Sequence, residues 1–321
     1  MSSYDKGYIA KRATELGFIR DTLEKVYRLA DVLEYLNTNP VLRENLALKG
    51  GTAINLTIFN LPRLSVDIDL DYLGADSRDD MLKNREVINQ IIGKFMVMSG
   101  YKLSPKTKNP HSLDSWVYEY INAVGNRDHI KIEINYSMRM HIFPANEMKI
   151  ITEHFASEYN VKCLAAIEMF GSKINALLSR AAARDLYDVY NMIKFGLFEE
   201  EEQQALLRKS VVFYAAISSK VINKNFDMLA IDNITQYKIR RELYPVITKK
   251  EVFDLENAKK TVKDYISKLM VLKPQEKEFL EKFGEKEYAP ELIFRDEEIL
   301  GRIKNHPMAL WKMRNTNEWK N

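Results

Sequence analysis

Cysteine is nearly missing from this sequence, with Cys163 the single one in 321 residues. That excludes an internal disulfide and a cysteine-based zinc cluster, and it makes the reducing cytoplasm the expected compartment. Long apolar runs are missing too. Residues 1–20 mix charges among their apolar side chains, unlike a signal peptide, and no segment has the apolar length of a membrane span. A soluble chain with no membrane partner is expected. Charge of one sign is not in excess either: 48 Lys and Arg face 45 Asp and Glu, a formal +3. A dedicated nucleic-acid coat or arm is thereby excluded, and any nucleic-acid site must be a local patch. The glycine-rich fingerprints of P-loops and dinucleotide folds are absent. His111, His129, His141, His154 and His306 lack metal-ligand spacing, so each is expected at the surface or in a hydrogen bond.

What is present suffices for one large core or two smaller ones, since 46% of the residues are hydrophobic and 29% charged. Two lobes are expected, meeting near residue 155. Phe18, Leu23, Val26, Tyr27, Ala30, Leu33 and Leu36 recur at helical spacing, so the first forty residues read as one amphipathic helix ended by Pro40. Leu46 to Lys49, Gly50-Gly51-Thr52 and Ala53 to Phe59 read as strand, glycine turn and helix. From Ser65 the chain alternates, with Val66, Ile68 and Leu70 on one face and Asp67, Asp69 and Asp71 on the other. A helix from Met81 to about Ser99 follows. Trp116 to Ile121 and His129 to Tyr136 then form a hairpin around Gly125-Asn126. From about Ala156 the pattern is helical, with one helix through Ala166, Phe170, Ile174 and Leu177 and another from Arg184 to Lys194. The run Glu199 to Glu202 is expected as a solvated helix start or loop.

Asp67 and Asp69 lie two apart on a strand, which puts their carboxylates on one face about 7 Å apart at the backbone. Such a pair suits Mg²⁺, which takes one or two carboxylates together with substrate phosphates; alternating aspartates are also ordinary solvated surface. The adjacent glycines permit a close backbone approach, and the helix N-terminus behind them offers N–H groups to an anion. Glu133 becomes a third carboxylate if its strand neighbours that of Asp67 and Asp69. Otherwise it pairs with Lys131. Lys173, Leu177 and Arg180 fall on one helix face, and Arg184 and Asp188 lie one turn apart. These cations suit a phosphate track; the plainer alternative pairs Arg184 with Asp188 and leaves Lys173 on a solvated face. Tyr187, Tyr190, Tyr214, Tyr237 and Tyr244 are expected mainly in the core rather than stacked on bases.

Lys49-Gly50-Gly51-Thr52 followed by Arg63-Leu64-Ser65-Val66-Asp67-Ile68-Asp69-Leu70 resembles the first signature of polymerase-β-like nucleotidyltransferases, most closely the AbiEii/AbiGii toxin family. Glu168-Met169-Phe170-Gly171-Ser172-Lys173, Arg180, and Arg184-Asp185-Leu186-Tyr187-Asp188 resemble that family's later signature. His306-Pro307 and Trp311-Lys312 are similar to its closing segment, so the likeness spans roughly residues 12 to 314. Fourteen residues separate Thr52 from Asp67, a longer gap than many of these enzymes have, and Thr stands where Ser is commoner.

The resemblance implies an α+β, bilobed protein. Residues 1–155 would hold an N-terminal helix and a polymerase-β-like core of mixed sheet flanked by helices, and residues 156–321 a mainly α-helical lobe. It implies a nucleotidyltransferase acting as the toxin of a toxin–antitoxin or abortive-infection pair, with a cognate antitoxin as partner. In this reading Gly50, Gly51 and Thr52 cradle the triphosphate, and Asp67 and Asp69, with Glu133, hold two Mg²⁺ ions. Lys173 reaches the phosphates, Asp188 is required beside it, Arg180 and Arg184 contact RNA, and Ser65 matches a serine that some antitoxins phosphorylate. A nucleotide would pass from a nucleoside triphosphate (NTP) to an RNA 3′ end, as in members that modify transfer RNA. The alternatives are nucleotidylation of a protein and a silent nucleotide-binding regulator.

Overall fold

The computed structural model describes residues 5–74, 77–150, 159–218 and 224–315. The chain divides into two units. The first comprises Met1–Arg139, Ala145–Leu164 and Tyr244–Glu251, and the second Met140–Pro144, Ala165–Leu243 and Val252–Asn321. The boundary expected near residue 155, and His154, lie outside the described residues.

In the first unit the amphipathic stretch is two helices rather than one. Helix α1, Lys6–Leu16, is capped when the Asp5 side chain accepts from the Tyr8 N–H at 2.9 Å, and it stops at Gly17, whose φ of 77° needs no Cβ. Helix α2, Arg20–Thr38, then buries Leu23, Val26, Leu29, Leu33 and Leu36 along one stripe. Pro40 does not merely end that helix. Asn39 accepts from Leu42 N–H at 3.2 Å and caps α3, Pro40–Asn45, in which proline takes the first position.

Strand β1, Leu46–Lys49, runs straight into the short helix α4, Gly50–Ala53, which widens into a π turn over Ile54–Ile58. Strand β2 is Asp67–Tyr72 and helix α5 is Arg78–Met98. Then come β3 Lys102–Leu103, β4 Leu113–Ile121, β5 Arg127–Asn135, β6 Asn146–Lys149 and β7 Asn160–Cys163. The seven described strands form one mixed sheet in the order β3-β4-β5-β2-β1-β7-β6. β2 lies parallel to β5 and antiparallel to β1. Ile68, Leu70, Trp116, Tyr118, Ile130, Ile132 and Ile134 are all buried on the apolar face. Burying each such large side chain stabilises the sheet by about 1.5–3 kcal/mol, which fixes the register and so which face the intervening polar residues occupy.

Residues 244–251 belong to this unit although they are distant in sequence. The Leu64 N–H donates to Val246 O at 2.7 Å, Arg63 bridges Ile247, and the Lys249 N–H donates to Gly17 O at 2.8 Å. The segment thereby holds the run before β2 and the α1–α2 joint.

The second unit is helical: α6 Ala166–Arg180, α7 Ala183–Lys194, α8 Glu201–Ser218, α9 Leu229–Asp232, α10 Gln236–Lys238, α11 Leu255–Leu269, α12 Pro274–Gly284, α13 Glu297–Ile303 and α14 Pro307–Arg314. α6 and α8 pack so closely that a Cβ built on Gly171 would lie 2.7 Å from Ser210 Cβ. Glu168, buried on α6, accepts from the N–H groups of Ile142 at 2.9 Å and Phe143 at 3.2 Å, and from the Tyr214 hydroxyl. No described helix is long and apolar enough to cross a membrane.

Candidate active site

The strand register gathers the first unit's site on the polar face of the sheet. Asp69 stands opposite Lys49 of β1 on one side and Glu133 of β5 on the other, while Asp67 stands opposite Lys131. In-register neighbours project to the same face, so Asp67, Asp69 and Glu133 share it as expected. Asp71 faces the same way but differs in kind. It is 2% exposed and takes Lys49 Nζ at 2.5 Å, so a buried carboxylate is held in an ion pair with a half-buried lysine. Asp67 and Asp69 are half-buried, and the Asp67 carboxylate has no ion-pair partner among the described residues. Glu133 pairs with Lys131 at 3.0 Å.

The glycine turn is built around this face. Gly50 has a φ of +70°, and a Cβ there would lie 2.7 Å from Asp69 Oδ2, so the backbone rests directly on that carboxylate. A Cβ on Gly51 would lie 2.5 Å from Arg63 Nη2 and 3.1 Å from Ser65 Oγ. Arg63 is 2% exposed, its Nη1 donating to Leu64 O at 3.0 Å, so a buried guanidinium underlies the turn. Ser65 is buried beside it. Thr52 is fully buried and its hydroxyl donates to Asp67 O, tying the turn to the first residue of β2. What Thr52 can offer an anion is therefore its backbone N–H, in the first turn of α4.

A hard divalent cation fits this donor set, carboxylate oxygens on half-buried side chains beside a backbone with no Cβ in the way. The fit is for two carboxylates completed by substrate or water oxygens. Among the described residues no three His, Cys, Asp or Glu side chains are gathered into a ready metal cluster, and Glu133 stands engaged with Lys131.

The second unit carries the later signature as a buried charge cluster. Lys173 Nζ lies 3.0 Å from Asp185 Oδ1 and 3.1 Å from Asp188 Oδ2, and Arg180 Nε lies 2.7 Å from Asp185 Oδ2. Lys173 is 9% exposed and so does not sit on a solvated helix face. Asp188 pairs with Lys173 rather than with Arg184, which is half-buried. Burial alone would raise the Asp185 pKa, but the Lys173 and Arg180 cations outweigh it and hold the carboxyl down at about 2.

Asp185 and Arg63 stand inside these two arrangements although their sequence context did not single them out, even within the quoted signature runs. The signal for Asp185 was its position five residues after Arg180 at the start of a helix. Arg63 gave none, since a fully buried arginine is rare. Of the tyrosines, Tyr187 and Tyr214 are core, whereas Tyr237 and Tyr244 are 68% and 43% exposed.

Residues 31–291 match the profile of the family described as Nucleotidyl transferase AbiEii toxin, Type IV TA system. No curated protein sequence matches the chain. Among solved structures it is similar to MenT4, a nucleotidyltransferase toxin from Mycobacterium tuberculosis H37Rv, with a TM-score of 0.61 and 17% identity over 96% of this chain and 99% of that one. At that identity the likeness speaks for the fold alone.

Proposed function

The chain belongs to the AbiEii nucleotidyltransferase toxin family of type IV toxin–antitoxin systems, and from that premise we propose that it transfers a nucleotide from an NTP to the 3′-hydroxyl of an RNA, a transfer RNA end, using Mg²⁺ held by Asp67 and Asp69. The observation that carries this is the shared polar face, with Asp69 beside the Gly50 backbone and in register with Glu133.

In this reading the turn at Gly50 and Gly51 lets the triphosphate approach the backbone, and the N–H groups at the start of α4 receive its oxygens. Arg63 and Thr52 keep the turn in register with β2. When bound, magnesium neutralises charge on the reacting phosphate and favours the ionised hydroxyl. The O3′ oxygen forms a bond to the α-phosphorus, the bond to the β-phosphate bridge oxygen breaks, and pyrophosphate leaves with that electron pair. Glu133, once turned from Lys131, accepts the hydroxyl proton; where it would instead hold a second ion, the proton passes to solvent water. Most of the acceleration is positioning and charge neutralisation. Lys173 and Asp188 are the family-signature residues assigned to transfer, and Arg180 and Arg184 those assigned to RNA binding. Lys173→Met is expected to lower the rate. Phosphorylation of Ser65 would set a dianion against Gly51 and the Asp pair and silence the site. The family implies an antitoxin partner.

The test is incubation of the protein with Mg²⁺, each α-³²P-labelled NTP in turn, and either total RNA or total protein. Label in a discrete RNA band, placed at a 3′ end by nuclease digestion, supports the proposal and names the nucleotide. Label in protein instead, or pyrophosphate release with no labelled acceptor, refutes the RNA reading. Nucleotide binding without pyrophosphate release refutes catalysis.

A further inference from the structure

The polar face of the sheet does not end at the carboxylates. Across β1, β2, β5 and β4 one row reads Lys49, Asp69, Glu133 and Ser115, and the bridge from Ser115 extends it to Lys108. The third row toward the start of β5 reads His129, Glu119 and Lys102, and Arg127 follows beyond it. Lys102, Lys106, Lys108 and Arg127 are all exposed, and none has an ion-pair partner among the described residues.

Of the acids nearby, Asp128 takes Lys25 at 2.7 Å, the Tyr120 hydroxyl at 3.2 Å and His129 Nδ1 at 3.7 Å, whereas Glu119 accepts from Ser104 Oγ at 2.6 Å and keeps its charge among four cations. A cavity of about 230 Å³ lies along this stretch, walled by Lys106, Arg127 and His129 together with Val117 and the acids Glu119 and Asp128. A chain with a formal charge of only +3 has therefore concentrated unpaired cations on one end of the face that carries its carboxylate pair. Gathered like charges repel one another, so such a patch is suited to an anionic partner.

We propose that Lys102, Lys106, Lys108 and Arg127, with His129, seat the phosphodiester backbone of a single-stranded acceptor RNA, which runs along β5 with its 3′ end toward Asp67 and Asp69. Length decides against a free nucleotide as the occupant. From Arg127 to Glu133 is six residues of strand, about 20 Å, which is longer than a triphosphate and matches a run of several nucleotides. Arg127 and His129 lie on β5, Lys102 on β3, and Lys106 and Lys108 between β3 and β4, so the cations are spread over several elements rather than gathered at one anion hole. This inference rests on reading Asp67 and Asp69 as the catalytic end of that track.

The experiment measures binding of a fluorescein-labelled single-stranded RNA with a free 3′-hydroxyl by anisotropy over a salt series. It uses the Asp67→Ala protein, so that binding is read without turnover. In that background a four-site variant, Lys102→Gln, Lys106→Gln, Lys108→Gln and Arg127→Gln, is set beside a charge-matched control, Lys249→Gln, Lys250→Gln, Lys260→Gln and Lys277→Gln. Each lost phosphate contact reduces the slope of log Kd against log salt by about 0.7, so the four-site slope is expected to fall by about 2–3 while the control stays near the parent. Unchanged slope in the four-site variant, an equal fall in the control, or no RNA binding by the parent overturns the proposal; an acidic protein segment then becomes the occupant to seek. Wild-type protein that labels RNA while the four-site slope is unchanged overturns this inference alone. Persistent transfer by Asp67→Ala overturns the carboxylate reading instead.

Discussion

Replacing Gly50 by Ala separates a damaged site from a damaged fold. At a φ of +70° an L side chain costs about 1–2 kcal/mol of backbone strain. The new Cβ would also lie 2.7 Å from Asp69 Oδ2 and 3.4 Å from Asp69 Cβ, so the carboxylate must move by several tenths of an ångström or the turn must lift. The strain alone lowers Tm by only a few degrees in a chain of this size. The displacement falls on a proposed metal ligand, where misplacement by about 1 Å costs on the order of 10²-fold in rate. Gly50→Ala should therefore melt within a few degrees of the wild type, transfer labelled nucleotide roughly 10²-fold more slowly, and need more Mg²⁺ for half-maximal rate. Differential scanning fluorimetry and a Mg²⁺ titration of transfer read these quantities. A variant with wild-type rate and wild-type Mg²⁺ dependence would refute the argument that the turn positions Asp69. Loss of the folded signal altogether would show instead that the glycine serves the fold.

Gly171→Ala should destabilise the second unit by about 1–3 kcal/mol, because its Cβ meets Ser210 Cβ at 2.7 Å and Ser210 C at 3.2 Å; denaturant unfolding checks this, and a Ser210→Gly partner change should recover part of the loss. Asp185 has its carboxyl held at about 2 against an ordinary 3.8, so its contribution is full above pH 4 and is lost as the pH falls from about 4 toward 2. That stability, about 2 kcal/mol from the shift, should vanish from the pH profile of Asp185→Asn. The same variant should be less stable at pH 7 by about 2 kcal/mol, since Lys173 loses one of its two carboxylate partners and keeps Asp188; an acid limb unchanged from wild type would contradict the cluster's role.

Strict alternation made the acidic face of β2 legible, and the isoleucine ladder did the same for β5, because a period of two has one structural meaning when one side is buried. Alternation along one strand does not say which strand lies beside it. It therefore could not tell Asp71, diagonal to Lys49 across the β1–β2 pair, from Asp67 and Asp69. Gly17 was a visible break in the N-terminal helix, yet the apolar spacing continues across it and masks the division into α1 and α2. Asn39-Pro40 reads equally as a stop and as a cap with proline at the first helical position, and only the following turn resolves which. Arg63 and residues 244–251 were beyond local pattern altogether, since their contacts join segments far apart in sequence. In the second unit, helical spacing placed Lys173 and Arg180 on one face but could not show that Asp185 lies between their charges.

In the proposed mechanism two of the three alternating aspartates serve the chemistry and the third serves the fold. Single-turnover transfer of α-³²P-labelled nucleotide by Asp67→Ala, Asp69→Ala and Asp71→Asn, each paired with its melting temperature, tests it most directly. Asp67→Ala and Asp69→Ala should keep the wild-type Tm within a few degrees and lose transfer by roughly 10²–10³-fold or more, whereas Asp71→Asn should lose stability by about 1–3 kcal/mol as the half-buried Lys49 loses its carboxylate partner and retain transfer in proportion to its folded fraction. Transfer at the wild-type rate by either Asp67→Ala or Asp69→Ala would contradict the account.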